Sequence, residues 1–259
     1  MNLYGTYVLY VKEVKRFLSV YNQTIIAPLV NSLLLLTIFS LAIGGRVGEV
    51  EGIPFKQFII PGLIMMTIIQ NAFANTSSML TFGKVLGTII DLLLPPLSPK
   101  EVTIAMTLGG VTRGIFSGLA VVLAVIILSF FDETIKISVH NWSLMIFYIF
   151  FSSLLLSLFG MLAGIFCDTF DKMSFYTNFI ITPLSFLSGT FYSIKNLPEF
   201  WQKFNHFNPF FYMIDGFRYS LTGHNDFPIY HGIIMLLICN LILYFVVYTL
   251  IKKGVRIKS

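Results

Sequence analysis

Residues 57–83 read QFIIPGLIMMTIIQNAFANTSSMLTFG, with no Lys, Arg, Asp or Glu. A helix needs about 20 predominantly apolar residues to cross the hydrocarbon of a bilayer, and this stretch supplies them. Five more gaps in the charge pattern, 17–45, 114–131, 137–167, 173–194 and 227–251, extend the same reading over the chain. Only 114–131 is short, and it becomes long enough once Arg113 is admitted into its helix. Charged residues make up 11% of the chain and hydrophobic ones 56%, against roughly 25% charged in an ordinary globular domain. No room remains for a soluble catalytic domain. Runs such as Leu33-Leu34-Leu35-Leu36 and Ile233-Ile234-Met235-Leu236-Leu237 do not alternate, which excludes the period of a transmembrane β-barrel. The expected fold class is an all-α membrane protein.

The spans are placed at 25–44, 58–80, 102–131, 142–166, 173–192 and 229–251. Six crossings put both termini on one side, and the basic residues choose which. With the termini in the cytoplasm, Lys12, Lys15, Arg16, Lys84, Lys100, Lys172, Lys252, Lys253, Arg256 and Lys258 lie inside. Arg46, Lys56, Lys136, Lys195, Lys203 and Arg218 then lie outside. That excess of inside charge follows the positive-inside rule. The net charge of +5 suits an anionic inner leaflet and gives no reason to expect nucleic acid. No short apolar core with a small-residue cleavage site precedes the first span, so that span is expected to remain as an anchor. Within residues 1–24, Tyr4, Tyr7, Val11, Val14, Leu18 and Tyr21 recur at helical spacing while Lys12, Lys15, Arg16 and Ser19 project elsewhere. That is the pattern of a helix lying at the membrane interface; a cytoplasmic tail is the other reading.

Two connections carry structure of their own. Residues 84–97 form a short amphipathic segment stopped by Pro95 and Pro96, since proline lacks the N–H and clashes with the preceding turn. It is either a handle for a soluble partner or an ordinary loop helix. Outside, residues 196–223 contain two helix starts, Asn196 with Pro198 and Asn208 with Pro209, and a stop at Gly223. Leu197, Phe200, Trp201 and Phe204 share one face, the signature of helices that sit at the interface or re-enter it. Asp215 and Arg218 are spaced to pair on the second helix and read first as structural.

Inside the spans, Thr67, Asn71, Asn75 and Ser78 form one polar stripe, and Asn178, Thr182, Ser185 and Ser188 form another, broken by Pro183, where a kink is expected. Such groups are expensive in hydrocarbon unless they face protein or a water-filled path, so each stripe bonds between helices or lines a pathway. Gly110, Gly114 and Gly118 allow close helix approach, within one chain or between two. Arg113 either reaches the inner interface or pairs with a neighbouring span, and a role in binding substrate is the minor reading.

Signs of enzyme chemistry are missing. The chain has no phosphate-binding G-x-x-x-x-G-K-[ST], no H-E-x-x-H and no G-x-S-x-G. His140, His206, His224 and His231 fall in outer connections or at a span edge, and Cys167 and Cys239 have no C-x-x-C spacing. No metal site and no cofactor bound by this chain are expected.

Several stretches in order carry a family resemblance: Gln57-Phe58-Ile59-Ile60-Pro61-Gly62, Asn71-Ala72-Phe73-Ala74-Asn75, Leu93-Leu94-Pro95-Pro96-Leu97-Ser98-Pro99, the run 182–193 and the run 208–219. Together they resemble the membrane subunit of ABC-2 type transporters, the permeases of bacterial polysaccharide, nodulation-factor and drug exporters, over essentially the whole chain as one transmembrane domain, 1–259. Within that family the likeness is nearest to inner-membrane transport permeases without an assigned cargo. The resemblance implies a bacterial inner-membrane protein, a homodimer of permeases and two partner subunits that bind ATP and Mg. It also implies that 84–97 is the coupling helix, with Lys84, Thr88, Asp91, Leu93 and Pro96 at the contact, and that spans one and five border the path. Relatives often carry Arg and Glu where this chain has Gly87 and Ile90, so polar contact with the ATPase would be differently placed. A polysaccharide, a lipid-linked molecule or a drug-like compound would each suit the path. The rival reading is a secondary carrier or channel that works without ATP, which intramembrane carboxylates or repeated halves would favour.

Overall fold

The computed structural model describes residues 2–44, 48–132, 134–135 and 138–256, without the side chains of Ile43, Leu92 and Leu93. Arg46, Lys136 and Lys258 of the charge tally, and the side chain of the proposed contact residue Leu93, therefore lie outside the described set.

The architecture is helical. Helix α1 is Leu3–Ser19, and α2 is Ala27–Phe39, widened at both ends by π-helical turns, Asn22–Ile26 and Ser40–Gly44. A two-residue hairpin, β1 (Glu49–Val50) and β2 (Ile53–Pro54), pairs antiparallel and turns on Glu51 and Gly52, both at positive φ. Then follow α3 (Phe55–Val85), α4 (Ile90–Leu93), α5 (Pro99–Ser129), α6 (Trp142–Phe166), α7 (Phe170–Tyr176), α8 (Thr182–Ser185), α9 (Glu199–Asn205), α10 (Pro209–Thr222) and α11 (Ile229–Lys253). Among the described residues, five helices are long and apolar enough to cross a membrane: Asn22–Ala42, Phe55–Val85, Pro99–Ser129, Trp142–Phe166 and Ile229–Lys253.

The centre of the molecule is α3, buried on all sides from Phe58 to Ile69, as expected of a helix apolar around its whole circumference. Glycines on its neighbours make this possible. A Cβ at Gly114 of α5 would stand 2.8 Å from the Ile68 carbonyl, and one at Gly164 of α6 would stand 2.8 Å from Leu80 Cβ. Gly110 and Gly160 lie still closer to Ser157 and Thr76. The glycine stripe of α5 therefore serves packing within the chain. Hydroxyls stitch the three helices where they meet: Ser157 donates to the Thr107 carbonyl at 2.9 Å, and Thr76 to the Ser157 carbonyl at 2.7 Å. Each such bond contributes about 0.6 kcal/mol inside a membrane. Tyr148 fills the space left by Gly216 and Gly232 and donates to the Ile229 carbonyl at 3.2 Å, joining α6, α10 and α11.

Several expectations need correction. The fifth span, 173–192, is not a regular α-helix throughout. After α7 the chain widens into a π-turn, Thr177–Ile181, re-forms as α8, and widens again over Phe186–Thr190, where Gly189 takes φ 77°. The Thr182 N–H bonds to the Thr177 carbonyl, so the ladder loosens just before Pro183, which cannot donate. The segment 84–97 is not a continuous helix either. The second span extends past 80 to Val85, Gly87 breaks the chain at φ 72°, and only the single turn α4 follows. Helix α1 leaves its tyrosine face open. Leu9, Glu13 and Phe17 are buried against α5, while Tyr4 and Tyr7 are exposed. The third span starts at Pro99, ahead of the expected 102, because Ser98 and Glu101 form a capping box.

Candidate functional site

The C-terminal end of α3 presents one cluster. Thr88, Asp91 and Pro96 are exposed, beside a set of apolar side chains that are also open: Leu86 at 67%, Ile90 at 57% and Leu94 at 74%. Ile89 points the other way and packs on Gly83, so the turn is fixed to α3 by its inner face and offers its outer face. Lys84 is not part of that outer face. Its ammonium is almost wholly buried, donates to the Ile165 carbonyl at the end of α6 and stands 3.6 Å from Asp168. Asp168 also accepts from Lys172 at 3.1 Å. That hydrogen bond, with both ammonium groups close by, holds the Asp168 carboxyl below the usual range.

The α3 stripe meets α1, α2 and α5. Thr67 shares a hydrogen bond of 2.7 Å with Ser32 of α2. Asn71 accepts from Arg113 at 3.3 Å. The Asn75 amide oxygen and carbonyl accept from Arg16 at 3.1 and 2.8 Å, and Ser78 faces the same guanidinium at 3.4 Å. Arg16 closes the cluster with a 2.8 Å ion pair to Glu13, which is buried. Arg113 thus pairs with a neighbouring helix, one of the two leading readings of it. Glu13 is a residue that spacing alone did not mark, because it stands among lysines and reads as part of a solvated face. The one available signal was Gly109, one turn before Arg113, against which the Glu13 side chain packs.

The second stripe is divided. Asn178 is exposed and Thr182 half-buried, whereas Ser185 and Ser188 are buried. Ser185 donates to the Ile181 carbonyl at 2.7 Å, and Ser188 to that of Leu184. Asn208, the N-cap of α10, donates to Ser188 at 2.8 Å and so ties α10 to the end of the segmented helix.

That helix, α10, lies inside the protein. Arg218 is 1% exposed; it donates to the carbonyls of Gly189 and, at 3.3 Å, Phe58, and its guanidinium lies 3.9 Å above the Phe58 ring. Asp215 stands 3.9 Å from Arg218 and accepts from the Asp226 and Phe227 amides at 2.9 and 3.2 Å. The pair has the geometry of a bracket that fixes α10, α3 and the following loop. The aromatic residues of α9 remain outside, with Phe200 at 71% and Phe204 at 43% exposure.

A bundle built around one buried helix, with long apolar helices outside it and an open turn at one end, has the build of a polytopic membrane protein. The ABC-2 type transporter model matches residues 4–222, and the chain belongs to that family. It is 38% identical to the inner membrane transport permease YadH of Escherichia coli K12, over 97% of this chain and 96% of that protein. It is 24% identical to nodulation protein J of Rhizobium leguminosarum bv. viciae, over 70% of this chain and 68% of that one. This is a transport permease.

Proposed function

We propose that the chain is the transmembrane half of an ATP-binding cassette exporter in the bacterial inner membrane. Two copies pair with two ATPase subunits that carry ATP and Mg. The supporting observation is the exposed turn around α4: an apolar face of Leu86, Ile90 and Leu94 with Asp91 beside it, attached to the most deeply buried helix of the fold. Exposed apolar surface rimmed by polar groups marks an interaction site. A push on α4 travels into α3, and from α3 into α5 and α6 through their glycine contacts. Lys84 and Asp168 fasten the same end of α3 to α6, so Lys84 transmits the push, and Thr88, Asp91, Leu93 and Pro96 make the contact.

The spans can be placed by counting. From the charge distribution we take Lys56 and Asp132, paired at 2.5 Å, as the outer surface. About 20 residues down α3 and α5 bring the inner boundary near Ser78 and Leu108, the level of the Glu13–Arg16 pair. This sets α1 at the inner interface with its exposed tyrosines toward lipid, both termini in the cytoplasm and α9 at the outer interface. The segmented run 170–190 completes six crossings. It borders the path together with α2, with Asn178 and Thr182 toward the cargo and Thr67, Asn71, Asn75, Ser78, Ser185 and Ser188 holding those walls. A polysaccharide, lipid-linked or drug-like molecule with both polar and apolar parts fits such a lining.

ATP binding by the partner drives the cycle only where nucleotide states favour different permease states. The test is ATP turnover of the reconstituted complex with Asp91→Lys and Pro96→Ala. Loss of permease-stimulated turnover with normal membrane insertion is expected, and normal stimulation in both variants would remove the assignment of 84–97.

A further inference from the structure

We propose that a cavity between α6, α10, α11 and the segmented helix seats one acyl tail of a membrane phospholipid. The cavity has a volume of about 280 Å³ and an entirely apolar wall. Leu156 comes from α6, Ile180 from the π-turn that precedes Pro183, Leu184 from α8 just after it, Phe210 from α10, and Cys239 and Leu243 from α11.

Three observations select the occupant. The first is depth. Leu156 and Cys239 stand roughly 15 Å or more from either end of α6 and α11 at 1.5 Å per residue, and both helices are long enough to cross. The cavity is therefore at the level of the bilayer midplane, where the surrounding solvent is hydrocarbon tail. The second is the mouth. Ile242 belongs to the wall and is 55% exposed, continuous with Ile238 at 51% and Leu241 at 59%, so the cavity opens onto the lipid-facing side of α11. The third is the wall chemistry. An apolar cavity of even about 150 Å³ stays dry, and left empty it forfeits the contacts that side chains would otherwise make. A headgroup finds no hydrogen-bond partner there; a tail finds dispersion contact on every side.

The position gives the tail a consequence. Ile180 and Leu184 belong to a membrane-embedded helix that widens twice and ends on the left-handed Gly189, and Phe210 opens the helix tied to that stretch by Asn208. A tail in the cavity braces the segmented helix against α6 and α11. This inference is independent of the ATPase partner.

The test uses the full-length protein in phosphatidylcholine vesicles containing a phosphatidylcholine with a photoactivatable diazirine near the end of one tail. Adducts are mapped by mass spectrometry. Adducts on Cys239 and Leu243 are expected in addition to those on the outward-facing Ile238 and Leu241. Leu184→Trp, which fills the cavity, should reduce the first pair to background and leave the second pair unchanged. Wild-type adducts confined to Ile238 and Leu241 would overturn the proposal and point to a protein surface, such as a second copy of the chain, over the mouth. Undiminished wall adducts in Leu184→Trp, with its outward adducts intact, would also overturn it.

Discussion

Removing the Glu13 carboxylate leaves Arg16 and Arg113 facing each other's field across the Asn71–Asn75 stripe with no anion between them. Truncating one member of a buried pair costs far more than the pair contributes, on the order of 3–5 kcal/mol when both charges are fully desolvated. Arg16 retains some exposure, which puts Glu13→Ala nearer the lower end. A lower unfolding temperature in detergent, only partly restored by Glu13→Gln, is the expected result. Arg218 is the sharper case because it is wholly buried and its fork serves two carbonyls and a ring at once. Lysine offers one point charge in place of that planar fork, so Arg218→Lys should destabilise the protein nearly as much as Arg218→Ala in the same melt. Asp132 supplies a pH dependence of known sign. Hydrogen bonds from Lys56 and Thr134 hold its carboxyl at about 2, below an unfolded value of about 3.9. Its contribution is present above the unfolded value and is lost as the pH falls through about 2. Asp132→Asn should flatten the stability profile over that window, which acid titration of the melting temperature would show.

Among the elements, the contact of α3 with α5 and α6 depends on glycine more than on any apolar pair. Overpacking a well-filled core costs about 1–3 kcal/mol, and Gly114→Val sets its branches against a backbone carbonyl that has nowhere to move. Poor accumulation in the membrane is expected of Gly114→Val and of Gly164→Val, judged by fluorescence-detected size-exclusion profiles. Gly87 plays a different part. At φ 72° it sends the chain away from α3 into the α4 turn, a conformation that disfavours a residue with a Cβ by roughly 1–2 kcal/mol. Gly87→Val should leave the melt of the bundle nearly unchanged and lower ATPase stimulation, since it displaces only the turn. Normal stimulation would show that the orientation of α4 is immaterial.

At the scale of the whole molecule, what was legible followed from charge and length. The gaps in charge marked the long helices because burying Lys or Asp in hydrocarbon is costly wherever it occurs, and that cost leaves its trace in one dimension. The segmentation of 170–190 left a fainter trace: Pro183 announced a kink, but the left-handed turn at Gly189 is held by Asn208 through Ser188 and by Arg218, far along the chain. Glu13 went unmarked and Lys84 was assigned to the contact surface because their partners, Asn75 through Arg16 and the Ile165 carbonyl, are distant in sequence. The polar stripes were visible as stripes; which neighbour each one meets was decided by packing.

The central claim, a permease driven through its 84–97 segment by a separate ATPase, is tested most directly by purifying the tagged full-length protein from its own membrane in mild detergent. Mass spectrometry and an ATPase assay on the eluate then give the answer. One ATPase subunit per permease is predicted, lost on Asp91→Lys while the permease itself is recovered in equal amount. Recovery of a transport-competent protein without any nucleotide-binding subunit would contradict the account.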